Sequence, residues 1–115
     1  MHEYSIVQAL LERATAEAEA RGASHVVSLR VRLGELSGVD PQLLATAFET
    51  FRERSVCDGA SLAIDRSPAV WSCPRCGARI ERGAILRCAS CALPARLVEG
   101  DELVLERIEM EVPDV

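Results

Sequence analysis

Apolar residues recur every three to four positions through the first twenty. Val7, Leu11, Ala14 and Ala18 mark a stripe, with Ile6 and Leu10 beside it. This period predicts an amphipathic helix over 3–21, rich in alanine and glutamate and stopped by Gly22. From 26 to 33 the period falls to two. Val27, Leu29, Val31 and Leu33 share one face; Ser28, Arg30 and Arg32 share the other. Such alternation predicts a strand buried on one side.

The glycines of Gly34-Glu35-Leu36-Ser37-Gly38 predict a loop. Asp40-Pro41 then has the chemistry of a helix start, with a capping carboxylate followed by proline at the first helical position. Leu43, Leu44, Ala47, Phe48 and Phe51 supply the buried stripe of this second helix, which ends near Arg54. Cys57-Asp58-Gly59 reads as a turn, and 61–67 as a short strand with Leu62 and Ile64 on one face. Beyond Pro68, residues 69–99 are rich in Cys, Pro, Gly and Arg and keep no clear apolar period. Strand character resumes over 103–112 with Val104, Ile108, Met110 and Val112, interrupted by Glu106.

This order predicts an α+β fold: a three-stranded antiparallel sheet with two helices on one face. A small lobe is inserted between the last two strands. The main domain covers 1–68 and 100–115, and the lobe covers 69–99.

Composition changes the picture in two ways. The chain has 115 residues and a formal net charge of -5, with arginine as its only strongly basic residue. The charge is uneven. Five arginines (Arg75, Arg79, Arg82, Arg87, Arg96) face one acid, Glu81, between Ala69 and Val98, whereas acids dominate elsewhere. An acidic chain poor in aromatic residues is a weak nucleic-acid binder, so no nucleic-acid partner is expected despite the basic lobe. No apolar run reaches the ~20 residues of a membrane span. The opening MHEYSIVQAL lacks the basic start of a signal peptide. A soluble, cytoplasmic chain with no membrane partner is expected, and there its cysteines stay reduced.

Four of the five cysteines form two CxxC pairs, Cys73-Pro74-Arg75-Cys76 and Cys88-Ala89-Ser90-Cys91, eleven residues apart. Two such turns converge naturally on a tetrahedral ion, and four thiolates leave no open position for water. A structural zinc site is expected, one that helps fold a lobe too small for its own core. Iron in a rubredoxin-like carrier and a disulfide switch are the alternatives. A closed site with no adjacent base, and no P-loop or nucleotide fingerprint, argues against an enzyme and for no catalytic residues. Gly77 eases the first turn, whereas Ala92 follows the second. Cys57 reads as a small packed side chain, and His25 as structural at a strand start.

His2 has a second reading. The Met1 amine, the His2 main-chain nitrogen and its imidazole can wrap one ion in adjoining five- and six-membered rings. Planar nitrogen ligation of this kind suits Ni(II) or Cu(II). An α-amine titrates near ~7.7–8.0 and an imidazole near ~6.5, so a metal competes for both at neutral pH. Glu3 can add a carboxylate or its own backbone nitrogen. The residues alone leave His2 open between this role and that of an ordinary solvated histidine.

Over its whole length the chain resembles the HypA/HybF family of nickel metallochaperones. The resemblance rests on the opening MHEYSI, on VRLGELSGVDP leading into a helix with AFE, on the paired CxxC motifs, and on the closing GDELVLERIEMEV. It implies nickel, Ni(II), as transient cargo at Met1, His2 and Glu3, with Asp40 linked to the same site. It also implies zinc, Zn(II), at Cys73, Cys76, Cys88 and Cys91. The main domain becomes the nickel-binding domain and the lobe the zinc-binding one. The implied activity is nickel delivery for maturation of [NiFe] hydrogenase. The implied partners are the GTPase HypB, the hydrogenase large subunit and, for some members, urease maturation proteins; the working unit is a monomer or a homodimer. The second knuckle departs from the family pattern, lacking its proline and trailing glycine.

Overall fold

The computed structural model describes residues 2–81 and 85–113, with His2 described by its backbone alone. In order, α1 (His2–Arg21) leads to β1 (His25–Gly34), α2 (Pro41–Phe51) and β2 (Ser61–Ser67). Then come β3 (Val70–Ser72), β4 (Arg79–Ile80), β5 (Arg96–Glu99) and β6 (Leu103–Glu111). The strands form two three-stranded sheets, ordered β2-β1-β6 and β4-β3-β5. The chain is thus α+β, with two helices and a separate small sheet carrying the cysteines. Two compact units result. One comprises Met1–Arg32, Val39–Asp65 and Val104–Val115; the other comprises Leu33–Gly38 and Arg66–Leu103.

The first unit buries the helix stripes together with the inner face of β1. Val7, Leu10, Ala14 and Ala18 of α1 are buried, as are Leu44 and Phe48 of α2 and Val26, Leu29 and Val31 of β1. Tyr4 of α1 and Phe51 of α2 meet edge to face, centroids 4.5 Å apart at 87°. This geometry aligns the positive ring edge with the negative ring face. Cys57 and Ala60, in the segment between α2 and β2, are buried too.

Four expected positions shift. Leu10, not Leu11, lies on the buried line of α1, and Leu11 sits half-buried beside it. Val26, not Val27, is buried in β1: two residues separate Val26 from Leu29, so the alternation slips by one and Val27 turns outward, 40 % exposed. Leu43 and Phe51 of α2 are 56 % and 40 % exposed. A single helical stripe is narrower than the five residues assigned to it, and Leu44 and Phe48 occupy its centre. Glu106, which breaks the apolar face of β6, reaches Arg32 at 3.2 Å.

The second unit is tied where the chain leaves and re-enters the cysteine-bearing segment. Glu35 Oε1 accepts from Ala69 N–H at 2.8 Å. Glu102 takes one bond from Ser67 Oγ (2.7 Å) and another from Gly100 N–H (2.8 Å). Leu36 N–H bonds Gly100 O, and Gly34 N–H bonds Glu102 O. These backbones approach so closely that a Cβ on Gly34 would run into the Gly100 carbonyl. Gly100 itself has φ 115°, with the Ala69 backbone where a side chain would stand. Glycine is the residue that fits both places.

Candidate metal centres

Two knuckles of the same local geometry build the cysteine site. In the first, Cys73 N–H bonds Ala78 O (2.9 Å) and Gly77 N–H bonds Cys73 O (3.0 Å). In the second, Cys88 N–H bonds Leu93 O (2.9 Å) and Ala92 N–H bonds Cys88 O (2.8 Å). Each turn aims a backbone N–H back at its leading sulfur: Arg75 to Cys73 Sγ and Cys91 to Cys88 Sγ, both 3.4 Å. The fifth position of each turn is left-handed, at φ 75° for Gly77 and 56° for Ala92. The symmetry of the two turns is therefore carried by backbone geometry, although only one of them has the glycine that this geometry favours.

All four thiol sulfurs lie within 4.8 Å of one another, with Cys76 Sγ and Cys88 Sγ 3.8 Å apart. Cys73 and Cys88 are buried, Cys91 is half-buried and Cys76 is exposed. Ile80 completes the buried cluster, with Trp71, Leu93 and Ala95 packed against it. Backbone N–H groups of Cys76 and Arg75 lower the Cys73 thiol to about 6. Burial and the neighbouring thiols push Cys91 up to about 12. Protons on some thiols and charge on others is what four crowded acids adopt without a cation between them. A divalent ion removes the repulsion and leaves all four as thiolates. Four converging thiols are thus the soft donor set that a structural zinc requires.

The lobe expected to lack periodic structure has strands of its own. Trp71 pairs with Ile80 and with Leu97, and Ser72 pairs with Arg79 and with Arg96, all antiparallel. A bridge joins Arg87 to Pro94. Strands of two to four residues are too short to declare a period of two, so proline, glycine and cysteine dominate that stretch of sequence.

At the other candidate site, Asp40 caps α2. Its side chain accepts from Gln42 N–H (2.9 Å) and Leu43 N–H (3.1 Å), both on Oδ1. Glu3 Oε2 accepts from Asp40 N–H at 3.0 Å. The first turn of α1 is thereby fastened to the N-terminus of α2, and the two carboxylate residues singled out from the sequence are brought together. Met1 and the His2 side chain lie outside the described residues. No local sequence signal marks the main-chain bond by which Asp40 holds Glu3. Cys57 is fully buried and is not one of the four clustered cysteines, and burial raises its thiol pKa. His25 stands at the start of β1, 3.8 Å from Glu111.

A small α+β body with a four-cysteine cluster and a carboxylate pair near its first residues defines a metal-handling protein. The family of hydrogenase/urease nickel-incorporation metallochaperones, HypA, matches residues 1–110, and the chain belongs to it. It is similar to the hydrogenase maturation factor HypA of Wolinella succinogenes, 44 % identical over 99 % of this chain and 98 % of that protein. Among solved structures it resembles the solution structure of the Ni metallochaperone HypA from Helicobacter pylori. There the TM-score is 0.72 at 31 % identity, over 96 % of this chain and 98 % of that one. A second HypA solution structure gives a TM-score of 0.81 at 32 % identity, over 98 % of each chain.

Proposed function

We propose that this chain carries Ni(II) at its N-terminus and delivers it during maturation of [NiFe] hydrogenase, with zinc as a permanent structural ion. The Met1 amine, the His2 backbone and imidazole nitrogens and Glu3 hold the nickel, with Asp40 at its edge. Cys73, Cys76, Cys88 and Cys91 hold the zinc. Residues 1–68 and 100–115 act as the nickel-binding domain and 69–99 as the zinc-binding lobe. The observation that supports this reading best is the 3.0 Å bond from Asp40 N–H to Glu3. It brings two carboxylate residues, Glu3 and Asp40, together at the first turn of α1. Asp40 serves its helix cap through Oδ1, so its second oxygen can meet a cation while the cap persists. Each carboxylate also offsets the positive end of a helix, where a bare cation would be disfavoured.

A carrier must hold its ion and also release it. Ligands at a chain terminus can be displaced one at a time, and protons compete for the same nitrogens. Such a protein is no enzyme: it passes on a metal and leaves bonds in its partners unbroken. Its partners on this reading are the GTPase HypB, the hydrogenase large subunit and, in some settings, urease maturation proteins, all met in the cytoplasm by a monomer or homodimer. Elemental analysis after nickel exposure and desalting tests the assignment. Untagged wild type retains one nickel and one zinc per chain, and His2→Ala retains zinc alone. Nickel retained equally by His2→Ala, or by protein whose Met1 amine is blocked, contradicts it.

A further inference from the structure

The register of the small sheet sorts its side chains into two faces. Ile80, Trp71 and Leu97 occupy one cross-strand row, and Ile80 and Trp71 pack against the cysteine cluster. The adjacent row is Arg79–Ser72–Arg96. Neighbouring residues of a strand point to opposite sides, so this second row faces away from the thiols. Both arginines are exposed. Among the described residues neither guanidinium has an ion-pair or hydrogen-bond partner. Val98, left unpaired between Leu97 and Glu99 by a register shift on β5, is 50 % exposed. The face thus offers two unpaired guanidiniums astride a hydroxyl.

We propose that this Arg79–Ser72–Arg96 face docks an acidic peptide segment of a partner protein. Charge complementarity carries the choice. The segment from Ala69 to Val98 holds five arginines and one acid in a chain that is otherwise acidic. Guanidinium groups match carboxylates in two-point geometry. Strands about 4.8 Å apart root the two arginines roughly 10 Å from each other. Acids two apart in an extended peptide lie on one side about 6.7 Å apart, a span that flexible arginine arms close. The serine hydroxyl serves either carboxylate. A polynucleotide would lack a stacking surface here. Trp71 lies on the opposite face, and Tyr4, Phe48 and Phe51 belong to the helices.

The test uses the full zinc-loaded chain and two fluorescent peptides, Leu-Glu-Ser-Glu-Leu and its glutamine counterpart. Wild type binds the acidic peptide better than the neutral one, and added salt weakens the binding. Arg79→Glu with Arg96→Glu reduces affinity by about tenfold or more. The milder Arg79→Gln with Arg96→Gln shows an intermediate loss. In both variants retained zinc and unchanged nickel uptake show that the fold and the N-terminal site survive. Equal affinity for the two peptides overturns the proposal, as does binding that survives charge reversal. Tighter binding of a single-stranded RNA of equal charge, lost in the variants, assigns the face to nucleic acid instead. Salt-sensitive self-association lost in the variants, without peptide binding, assigns it to a second copy of the chain. Either result overturns the peptide reading.

Discussion

Ala92 takes a left-handed backbone, φ 56°, because the knuckle around Cys88 copies the one around Cys73. At the matching position stands Gly77, φ 75°. A side chain there costs about 1–2 kcal/mol, partly offset because alanine loses less freedom than glycine on folding. Ala92→Gly therefore tightens zinc by roughly two- to fivefold, for about 0.5–1 kcal/mol of relief. Competition with a chromophoric chelator measures it, and looser zinc in the variant contradicts the strain argument. Cys57 behaves differently: it is fully buried and pairs with no other thiol. Cys57→Ser exchanges a fully buried thiol beside the Ser55 hydroxyl for a smaller, more polar group and costs about 1–3 kcal/mol, read in urea melts. It leaves metal content unchanged. Loss of zinc in Cys57→Ser would give that thiol a role that its position denies it.

At the scale of elements, the small sheet and its cysteines stand or fall together. Its buried cluster consists of Cys73, Cys88 and Ile80, with four half-buried neighbours, too little to fold unaided. Trp71 is the only tryptophan and packs against this cluster. Chelating the metal shifts Trp71 emission to longer wavelength as water reaches the ring. Acid does the same. The Cys91 thiol, pushed up to about 12, must lose its proton to bind metal. Falling pH therefore favours the protonated, metal-free state. The spectral midpoint moves to lower pH as zinc is added, and emission indifferent to both chelator and acid contradicts the account.

The elements long enough to show a period were legible in the chain. The stop of α1, the Asp40-Pro41 start of α2 and the span of β2 follow from local chemistry that tertiary packing leaves in place. Which of several apolar neighbours is buried was less legible. Leu10 over Leu11, Val26 over Val27, and Leu44 over Leu43 are decided by the partner surface, which no local window contains. The strands β3, β4 and β5 were illegible because two to four residues carry no period. The four cysteines were legible as a set by spacing alone. The bond between Glu3 and Asp40 was not, since it joins a side chain to a backbone N–H 37 residues away.

The whole molecule divides its labour between two kinds of donor. Soft thiolates are clustered in the second unit, and the carboxylate pair lies in the first. Ligand softness sorts ions accordingly: thiolates suit zinc, and nitrogen with oxygen suits a transient Ni(II). Among the described residues no helix is long and apolar enough to cross a membrane. Membership of the HypA family is in keeping with this division, because a nickel carrier needs a cargo site that can empty without unfolding its scaffold.

Optical titration of the zinc-loaded, untagged chain with Ni(II) tests that separation most directly. The account predicts a weak visible d–d band from planar nitrogen ligation, complete at one equivalent, with zinc retained. Strong near-ultraviolet thiolate-to-nickel charge transfer, accompanied by zinc release, would contradict it.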